Sequence, residues 1–319
     1  MKKLLFLLIL LTACTGTSEP PLDLLLAVGD GNTVAFYPSG SDDASAVGSW
    51  DVGAEVIDLL RPEGESRLWV LTPSKLQAYP LVGGTLTSPP NLTAAEFSFD
   101  LGISCANGGL QTGEALLLLN CGGGHAWTLP FSSPALEPLN TSEDAANTIY
   151  LLGPDDLITR ITFNFNNFQV QHPGPDLDYS YTVETDNPVD HLVAIWSQQV
   201  LYIAVDSGSD TRMYTWEVGD TPPKPVGNPL PVTGVLTILP LKNGWLVGGK
   251  YSYVIHQFKK SDLLRIKPVT TALATPNFFA YLAGPGELTV LDLLDTQLSE
   301  HTRSFPANPR GLDWLPVGE

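Results

Sequence analysis

The feature that most constrains the fold of this chain is a unit of two short apolar runs that occurs seven times. Each unit is an apolar run, a turn rich in Gly, Asp, Pro or Ser, and a second, alternating run. The paired runs are 24–28 with 33–37, 68–71 with 76–79, 116–119 with 126–129, 149–152 with 157–163, 201–205 with 213–218, 245–247 with 253–258, and 279–282 with 288–291. A period of about 42 residues built of short strands is typical of β-propeller blades.

The repeat predicts an all-β chain folded as a seven-bladed β-propeller. Residues 22–319 divided by seven give about 43 residues per blade, whereas six blades would need about 50 and eight about 37. The 29 Gly and 27 Pro argue against long helices, because Pro removes an amide donor and Gly raises the entropy cost of ordering. A hydrophobic fraction of 43% with only 16% charged residues argues against disorder.

A further apolar strand pattern predicts how the ring closes. It precedes the second unit at residues 57–62 and the sixth unit at residues 236–240. The same pattern recurs at residues 312–316 with no unit after it, whereas the first unit, at Leu24, has no leading strand. We therefore expect the C-terminal strand to pair with the N-terminal blade, which would close the ring and remove two free sheet edges.

The N-terminal residues predict an export signal. Met1-Lys2-Lys3 precedes the apolar run Leu4–Leu11, which is too short for a bilayer span of about 20 residues but suits a signal peptide. The sequence Leu11-Thr12-Ala13-Cys14 resembles the lipobox of bacterial lipoproteins. That resemblance implies cleavage before Cys14 and a lipid anchor on Cys14. The alternative is an ordinary secretory signal with an incidental cysteine.

This interpretation divides the chain into a signal peptide (1–13), a lipidated tether (14–21) and a propeller domain (22–319). Seven extended residues after Cys14 reach at most about 25 Å, so the domain would lie close to the membrane. No later stretch approaches the length of about 18 apolar residues that a transmembrane helix needs. The predicted location is the cell envelope, on the extracytoplasmic side of a membrane.

Two further cysteines, Cys105 and Cys121, are predicted to form a disulfide. An exported protein lies where disulfides persist, and the segment between the two thiols predicts a hairpin with one cysteine on each strand. The alternative is a pair of buried free thiols. A zinc site is disfavoured, because two cysteines without nearby paired histidines fall short of a ligand set.

Two segments also resemble the YVTN-type propeller repeat, namely residues 282–292 and 26–37. Residues 306–319 look like the inter-blade segment of the same repeat. The resemblance implies a seven-bladed propeller in a family that includes surface-layer proteins and relatives of lactonases. It fixes the fold better than the activity, because propellers host many unrelated functions.

No catalytic set is visible. Residues 244–250 match the first seven positions of a phosphate-binding loop, but Tyr251 stands where Ser or Thr must bind Mg²⁺ and a strand pattern follows. The histidines are His125, His172, His191, His256 and His301, and no two lie within five residues. Lactonase-type catalysis would need His, Glu and Arg to converge at the channel mouth, and no such set can be aligned.

Acidic residues provide the strongest site hypothesis. The repeat predicts that Asp30, Asp155, Asp156, Asp206, Asp210 and Glu287 lie on the turn between the second and third strands of their blades, so that they share one face. The segment 172–188, predicted as a long loop, adds Asp176, Asp178, Glu184 and Asp186. The hypothesis is an acidic rim that binds Ca²⁺ or a basic partner. The alternative is that Asp lies there because it favours tight turns.

Residues 162–170 alternate around an Asn-Asn turn. Phe163 and Phe165 would either form an exposed aromatic strip that binds sugar or protein, or pack between blades.

The charge balance limits the partners. With 16 basic and 34 acidic residues the chain is a poor match for nucleic acid, whose phosphates must be met by Lys and Arg. We predict a monomeric envelope lipoprotein whose propeller binds an envelope protein or a cell-wall component. The first alternative is an extracytoplasmic lactonase-like hydrolase, and the second is a purely structural envelope component.

Overall fold

A computed structural model describes most of the chain. The described residues are 24–38, 45–85, 87–92, 94–139, 147–174, 178–219, 221–241, 244–257, 262–274, 279–293, 300–304 and 309–316. The predicted signal peptide, the tether with Cys14, and Asp176 lie outside them.

The described part is built almost entirely of short strands. In chain order they are β1 (Leu24–Asp30), β2 (Thr33–Pro38), β3 (Gly48–Asp51), β4 (Asp58–Leu60), β5 (Arg67–Leu71), β6 (Lys75–Pro80), β7 (Phe97–Asp100), β8 (Gly109–Thr112), β9 (Leu116–Gly122), β10 (His125–Pro130), β11 (Glu137–Pro138), β12 (Thr148–Leu152), β13 (Ile158–Asn164) and β14 (Asn167–His172). They continue with β15 (Tyr179–Glu184), β16 (His191–Ser197), β17 (Val200–Asp206), β18 (Thr211–Glu217), β19 (Lys224–Leu230), β20 (Val235–Leu241), β21 (Gly244–Gly249), β22 (Tyr253–Gln257), β23 (Leu263–Arg265), β24 (Thr271–Ala274), β25 (Phe279–Gly284), β26 (Glu287–Asp292), β27 (Glu300–Ser304) and β28 (Pro309–Pro316).

These strands form seven antiparallel four-stranded sheets, which confirms the predicted seven-bladed propeller. From the centre outwards, blade 1 is β28-β1-β2-β3, and blades 2 to 7 are β4–β7, β8–β11, β12–β15, β16–β19, β20–β23 and β24–β27. The first strand of each blade contacts the first strand of both neighbouring blades, in the closed cycle β28, β4, β8, β12, β16, β20, β24. These seven inner strands therefore surround the central channel.

The ring closes by the predicted pairing of the two chain ends. Strand β28 pairs antiparallel with β1, from Leu24 opposite Pro316 to Gly29 opposite Gly311, before a register shift at Asp30. The apolar patterns at 57–62, 236–240 and 312–316 become the inner strands β4, β20 and β28. Blade 1 therefore takes its inner strand from the end of the chain and its other three strands from the beginning.

The hydrophobic core consists of layers between neighbouring blades. Seven clusters of buried residues occur in the described chain, and each spans one pair of adjacent blades. The cluster between blades 7 and 1 includes Val28, Tyr281 and Trp314, so the closing boundary is packed like the others. Burial on both faces explains why the second strands are nearly continuous apolar runs rather than alternating ones.

The sequence prediction is displaced by one strand in blade 4. The runs 149–152 and 157–163 lie on the first and second strands, β12 and β13, rather than on the second and third. The third strand, β14, alternates Asn, Gln and His with Phe and Val, so its apolar signal is weaker than that of β12. The predicted long loop 172–188 contains the fourth strand, β15.

The predicted disulfide forms, but its position differs from the prediction in one respect. Cys105 and Cys121 are bonded, with their Cα atoms 4.8 Å apart. Cys121 lies on β9, as expected, whereas Cys105 lies in the connector between blades 2 and 3 and donates its N–H to the Pro73 carbonyl. The bond therefore ties the connector to the second strand of blade 3 and does not bridge two strands of a hairpin.

Helical structure in the described residues is limited to short turns such as the 3-10 turn Pro154–Asp156. In the same part of the chain no helix is long and apolar enough to span a membrane.

Candidate functional site

The alternation of strand direction divides the connections of the propeller between two faces. We call the face that carries the turns between second and third strands and the connectors between blades the upper face. The face that carries the first-to-second and third-to-fourth connections is the lower face. This division follows from the strand order of the sheets.

The predicted acidic rim is split between the two faces. Asp30 ends β1, and Asp206 and Asp210 flank the β17–β18 turn, so these three lie on the upper face as predicted, together with Glu287. Asp155 and Asp156 lie between β12 and β13, and Asp178 precedes β15, so these three lie on the lower face. The cause is the one-strand displacement in blade 4. Residues 149–152 form a first strand rather than a second strand, and the turn after a first strand lies on the lower face.

Two of these aspartates serve as hydrogen-bond acceptors between blades. The carboxylate of Asp206 accepts the N–H of Val235 in blade 6 at 3.1 Å and that of Gly208 in its own turn at 2.8 Å. The carboxylate of Asp156 accepts the N–H groups of Glu114 and Ala115 in blade 3, at 2.9 and 2.7 Å. Both side chains therefore hold blades together, whatever else they bind.

A second set of acceptors joins the inner strands themselves. Asp313 in blade 1 accepts the N–H of Arg61, next to β4, and Asp58 on β4 accepts the N–H of Leu110 on β8 at 2.8 Å. Gln111 on β8 continues the series, because its side-chain oxygen accepts the N–H of Leu152 on β12 at 2.9 Å. An inner strand has one edge without a strand partner, so these side chains satisfy N–H groups that the sheet leaves unpaired.

Burial makes these two carboxyl groups weak acids. It raises the pKa of Asp58 to about 7, although the N–H groups of Leu110 and Leu59 lower it, and the charge of Asp313 raises it further. Burial likewise raises the pKa of Asp313 to about 6, against the lowering effects of two N–H donors and of the Arg61 guanidinium. Each is therefore partly protonated near neutral pH.

Sequence reasoning did not assign a role to Asp58 or Asp313. The available signal was an isolated carboxylate in an otherwise apolar strand pattern, in Ile57-Asp58-Leu59 and again in Leu312-Asp313-Trp314. A buried carboxylate needs hydrogen-bond donors, so this recurrence indicates an acceptor between blades.

The described histidines do not converge. His125 lies in blade 3, and His172 in blade 4 is buried, with Nδ1 2.7 Å from the Thr159 hydroxyl, which accepts a hydrogen bond from Trp196. His256 in blade 6 contacts Asp262 at 2.5 Å. Among the described residues no group of three His, Cys, Asp or Glu side chains is placed to hold a metal ion. The side chain of His301 lies outside the described set.

His191 begins the inner strand β16 on the upper face. Desolvation lowers its pKa, Asp206 opposes that effect, and the ammonium group of Lys250 lowers the pKa further. The net effect favours the neutral form of the imidazole.

Exposed apolar side chains concentrate on the upper face. Four of the six large apolar side chains that are exposed in the described chain belong to it: Phe165, Leu236, Tyr251 and Ile266. Phe163 packs against the cluster between blades 4 and 5, whereas Phe165 is 74% exposed at the tip of the β13–β14 turn. The two phenylalanines therefore do not form a continuous aromatic strip.

Two backbone features present this apolar surface. A register shift between Val235 and Thr237 in the β20–β21 pairing places Leu236 in a bulge, which turns its side chain away from the sheet. The turn that carries Tyr251 is fixed at both ends, because Gly249 donates to the Ser252 carbonyl and Lys250 to the Gly234 carbonyl, at 2.9 and 3.1 Å. The exposed side chains thus lie on a rigid support.

Most of the cations of the upper face are paired with its acids. The ion pairs are Lys75–Asp100 at 3.6 Å, Arg212–Asp186 at 2.6 Å, Lys267–Glu287 at 2.8 Å and Arg310–Glu55 at 3.3 Å. Asp190, Asp206 and Asp210 belong to the same face, so its described part is acidic after this pairing. The upper face thus combines exposed apolar groups with excess negative charge.

Comparison with solved structures supports the fold. The chain is similar to a putative 6-phosphogluconolactonase from Bacteroides fragilis, with a TM-score of 0.64, 10% identity and coverage of 94% of this chain and 99% of that one. It is also similar to a putative 6-phosphogluconolactonase from Bacteroides uniformis, with a TM-score of 0.65, 12% identity and coverage of 92% of this chain and 100% of that one. For apo AztD from Citrobacter koseri the TM-score is 0.61 at 10% identity, with coverage of 92% of this chain and 97% of that one.

No protein-family model matches the sequence, and no curated protein matches it. At such low identity the structural likeness establishes a seven-bladed propeller that spans nearly the whole of each compared chain, and it carries no activity to this protein.

Proposed function

We propose that this protein is a lipid-anchored scaffold of the cell envelope whose propeller binds a protein partner through its upper face. The observation that carries the proposal is the concentration of exposed apolar side chains on that face. Exposed apolar side chains that are grouped on one face of a rigid support are typical of protein-binding surfaces, whereas singly scattered ones need no partner. The lipobox-like sequence at Cys14 supports the envelope location.

The test is photocrosslinking in intact cells with benzoylphenylalanine at one residue of each face. Tyr251 is 70% exposed on the upper face, and Val82, 62% exposed beyond β6 on the lower face, is a matched apolar control. We expect one envelope protein to be captured in the Tyr251 variant and not in the Val82 variant. Equal capture at both positions, or none, would contradict the proposal.

The alternative is an extracytoplasmic lactonase-like hydrolase. It is favoured by His191, whose pKa is lowered by burial and by the nearby Lys250, and by the two structural neighbours described as putative 6-phosphogluconolactonases. A neutral imidazole can accept a proton from water, and an ammonium group can stabilise a developing oxyanion. Lactone hydrolysis by the purified protein that is lost in His191→Ala would support this alternative.

A further inference from the structure

An open cleft lies on the upper face where blade 4 meets blade 5. Its lining includes Asp186, Pro188, Val205, Asp210, Arg212 and Pro229. One wall is therefore the connector from blade 4 to blade 5, and the opposite wall is the β17–β18 turn with the end of β19.

The turn that carries the exposed Phe165 is joined to one wall of this cleft. The connector that forms one wall is hydrogen-bonded to the Phe165 turn, because Thr185 donates to the Asn166 carbonyl and Val189 to the Phe165 carbonyl, both at 2.9 Å. The side chain of Asn164 accepts the N–H groups of Asn166 and Asn167 and so fixes the turn from within. Phe165 and the cleft wall therefore form one rigid surface.

The cleft combines apolar walls with negative charge. Val205, Pro188 and Pro229 supply apolar surface, and Asp186 and Asp210 supply two carboxylates. Arg212 is the one guanidinium of the lining, and it is already bound to Asp186 at 2.6 Å. The Asp186 side chain is still 80% exposed, and Asp210 accepts a hydrogen bond from Ser207, so both carboxylates keep free lone pairs.

A lysine or arginine side chain matches this combination. Its methylene stem packs on apolar surface while its charged head binds carboxylates, and the same head can lie over an aromatic ring. An anionic ligand would meet two carboxylates and a guanidinium that is already neutralised. Charge complementarity therefore selects a cationic occupant.

We infer that the blade 4–5 cleft is the subsite in which the partner protein places a Lys or Arg side chain, with an adjacent apolar residue against Phe165. This inference rests on the proposed function, since it names the chemistry of the partner. It assigns Asp186 and Asp210 as the carboxylates that contact the cation.

Zero-length carbodiimide crosslinking of intact cells that express the full chain tests the contact directly, because carbodiimide joins a carboxylate only to an amine in contact with it. We expect mass spectrometry to locate Asp186 or Asp210 bonded to a lysine of the protein that is captured at Tyr251. An arginine is not joined by carbodiimide, so for an arginine the charge-removal variants are the test. If a partner is photocaptured at Tyr251 but is carbodiimide-crosslinked only to carboxylates outside the cleft, the assignment of the cleft as the cation subsite is wrong, whereas the scaffold function stands. Absence of capture by either method would overturn both.

A matched pair of variants separates a specific contact from general electrostatic attraction. Asp186→Asn with Asp210→Asn removes two charges at the cleft, and Asp155→Asn with Asp178→Asn removes two charges from the lower face. We expect the first variant to reduce Tyr251 photocapture at least about tenfold, the loss of a charged hydrogen bond, and the second to leave it unchanged. Equal reductions, with unchanged melting temperatures, would overturn the inference.

Discussion

The carboxylate of Asp58 accepts a hydrogen bond from the backbone N–H of Leu110, 2.8 Å away, across the boundary between blades 2 and 3. The inner edge of β8 has no strand partner, so this side chain supplies the acceptor that a further strand would otherwise provide. Asp313 does the same for the N–H of Arg61 across the boundary between blades 1 and 2. Side chains thus complete the inner edges of neighbouring blades.

This arrangement predicts that stability falls as the pH rises from about 4 to about 7. The folded-state pKa of Asp58, about 7, and that of Asp313, about 6, lie above the ordinary value of 3.8. The folded protein therefore binds more protons than the unfolded chain in this range, and raising the pH favours unfolding. The stabilisation is complete below pH 3.8 and is lost as the pH passes through the folded-state pKa values.

Other carboxylates act in the opposite direction, so the test compares variants. The pKa of Glu96, for example, is lowered by Arg67. The melting temperature of Asp58→Asn, measured from pH 4 to pH 8, should show a smaller decline with pH than that of the wild type. If the melting temperatures of the variant and the wild type fall in parallel with pH, Asp58 is not responsible for the pH dependence of stability.

Asp156 and its neighbour Asp155 provide a test of the structural role of the acidic turns. Asp156 accepts two N–H groups of blade 3, and its loss leaves both without that acceptor. We expect Asp156→Ala to lower the free energy of unfolding by about 1–3 kcal/mol. The control is Asp155→Asn, at an exposed residue with a φ of 56° that Asn tolerates, and it should change little. Equal effects in urea denaturation would contradict the assignment.

The disulfide between Cys105 and Cys121 should stabilise the fold by reducing the conformational entropy of the unfolded chain. A sequence separation of 16 corresponds to about 3 kcal/mol in the chain-entropy account. Cys105→Ser should therefore lower the urea midpoint, and a reducing agent should bring the wild type to the same midpoint. If the reducing agent lowers the urea midpoint of the variant as much as that of the wild type, the reductant acts on something other than this disulfide.

Much of the fold could be predicted from the sequence, because the determining signal is local. A second strand buried on both faces is a continuous apolar run, as at residues 24–28 and 201–205, and such runs mark the period of the blades. The closure was also predictable, since a leading strand at 312–316 without a following unit complements a first unit without a leading strand. Blade 4 was displaced because β12 is as apolar as a second strand.

The candidate site was less predictable, because it depends on contacts between distant parts of the chain. The ion pair of Asp186 with Arg212 spans 26 residues, and no sequence pattern shows that it neutralises one of the cleft carboxylates. The exposure of Phe165, in contrast to the packing of Phe163, depends on where β13 ends. The acidic turns were predicted from the strand repeat, but the face on which each turn lies depends on which two strands of the blade it connects.

The predicted lipid anchor can be tested independently of the propeller. Replacement of Cys14 by Ala removes the residue that the lipobox-like sequence identifies as the lipidation site. We expect the variant to lose incorporation of an alkyne-labelled fatty acid and to leave the membrane fraction. Continued sedimentation with detergent-soluble membrane would contradict the anchor, and Cys105→Ser is a control that should keep both properties.

Removal of residues 309–319 tests the closure of the ring. The truncation deletes β28, exposes the edge of β1 and uncovers the apolar layer to which Leu312 and Trp314 contribute. An unpaired apolar strand edge favours association with other chains, so the truncated protein should aggregate and melt at a lower temperature. Size-exclusion chromatography and thermal melts measure both effects.

A more limited variant, Leu315→Ala, keeps β28 and removes one buried side chain, so it should remain monomeric and lose about 2–5 kcal/mol of stability. A truncated protein that stays monomeric with an unchanged melting temperature would show that the pairing of β1 with β28 does not hold the ring closed.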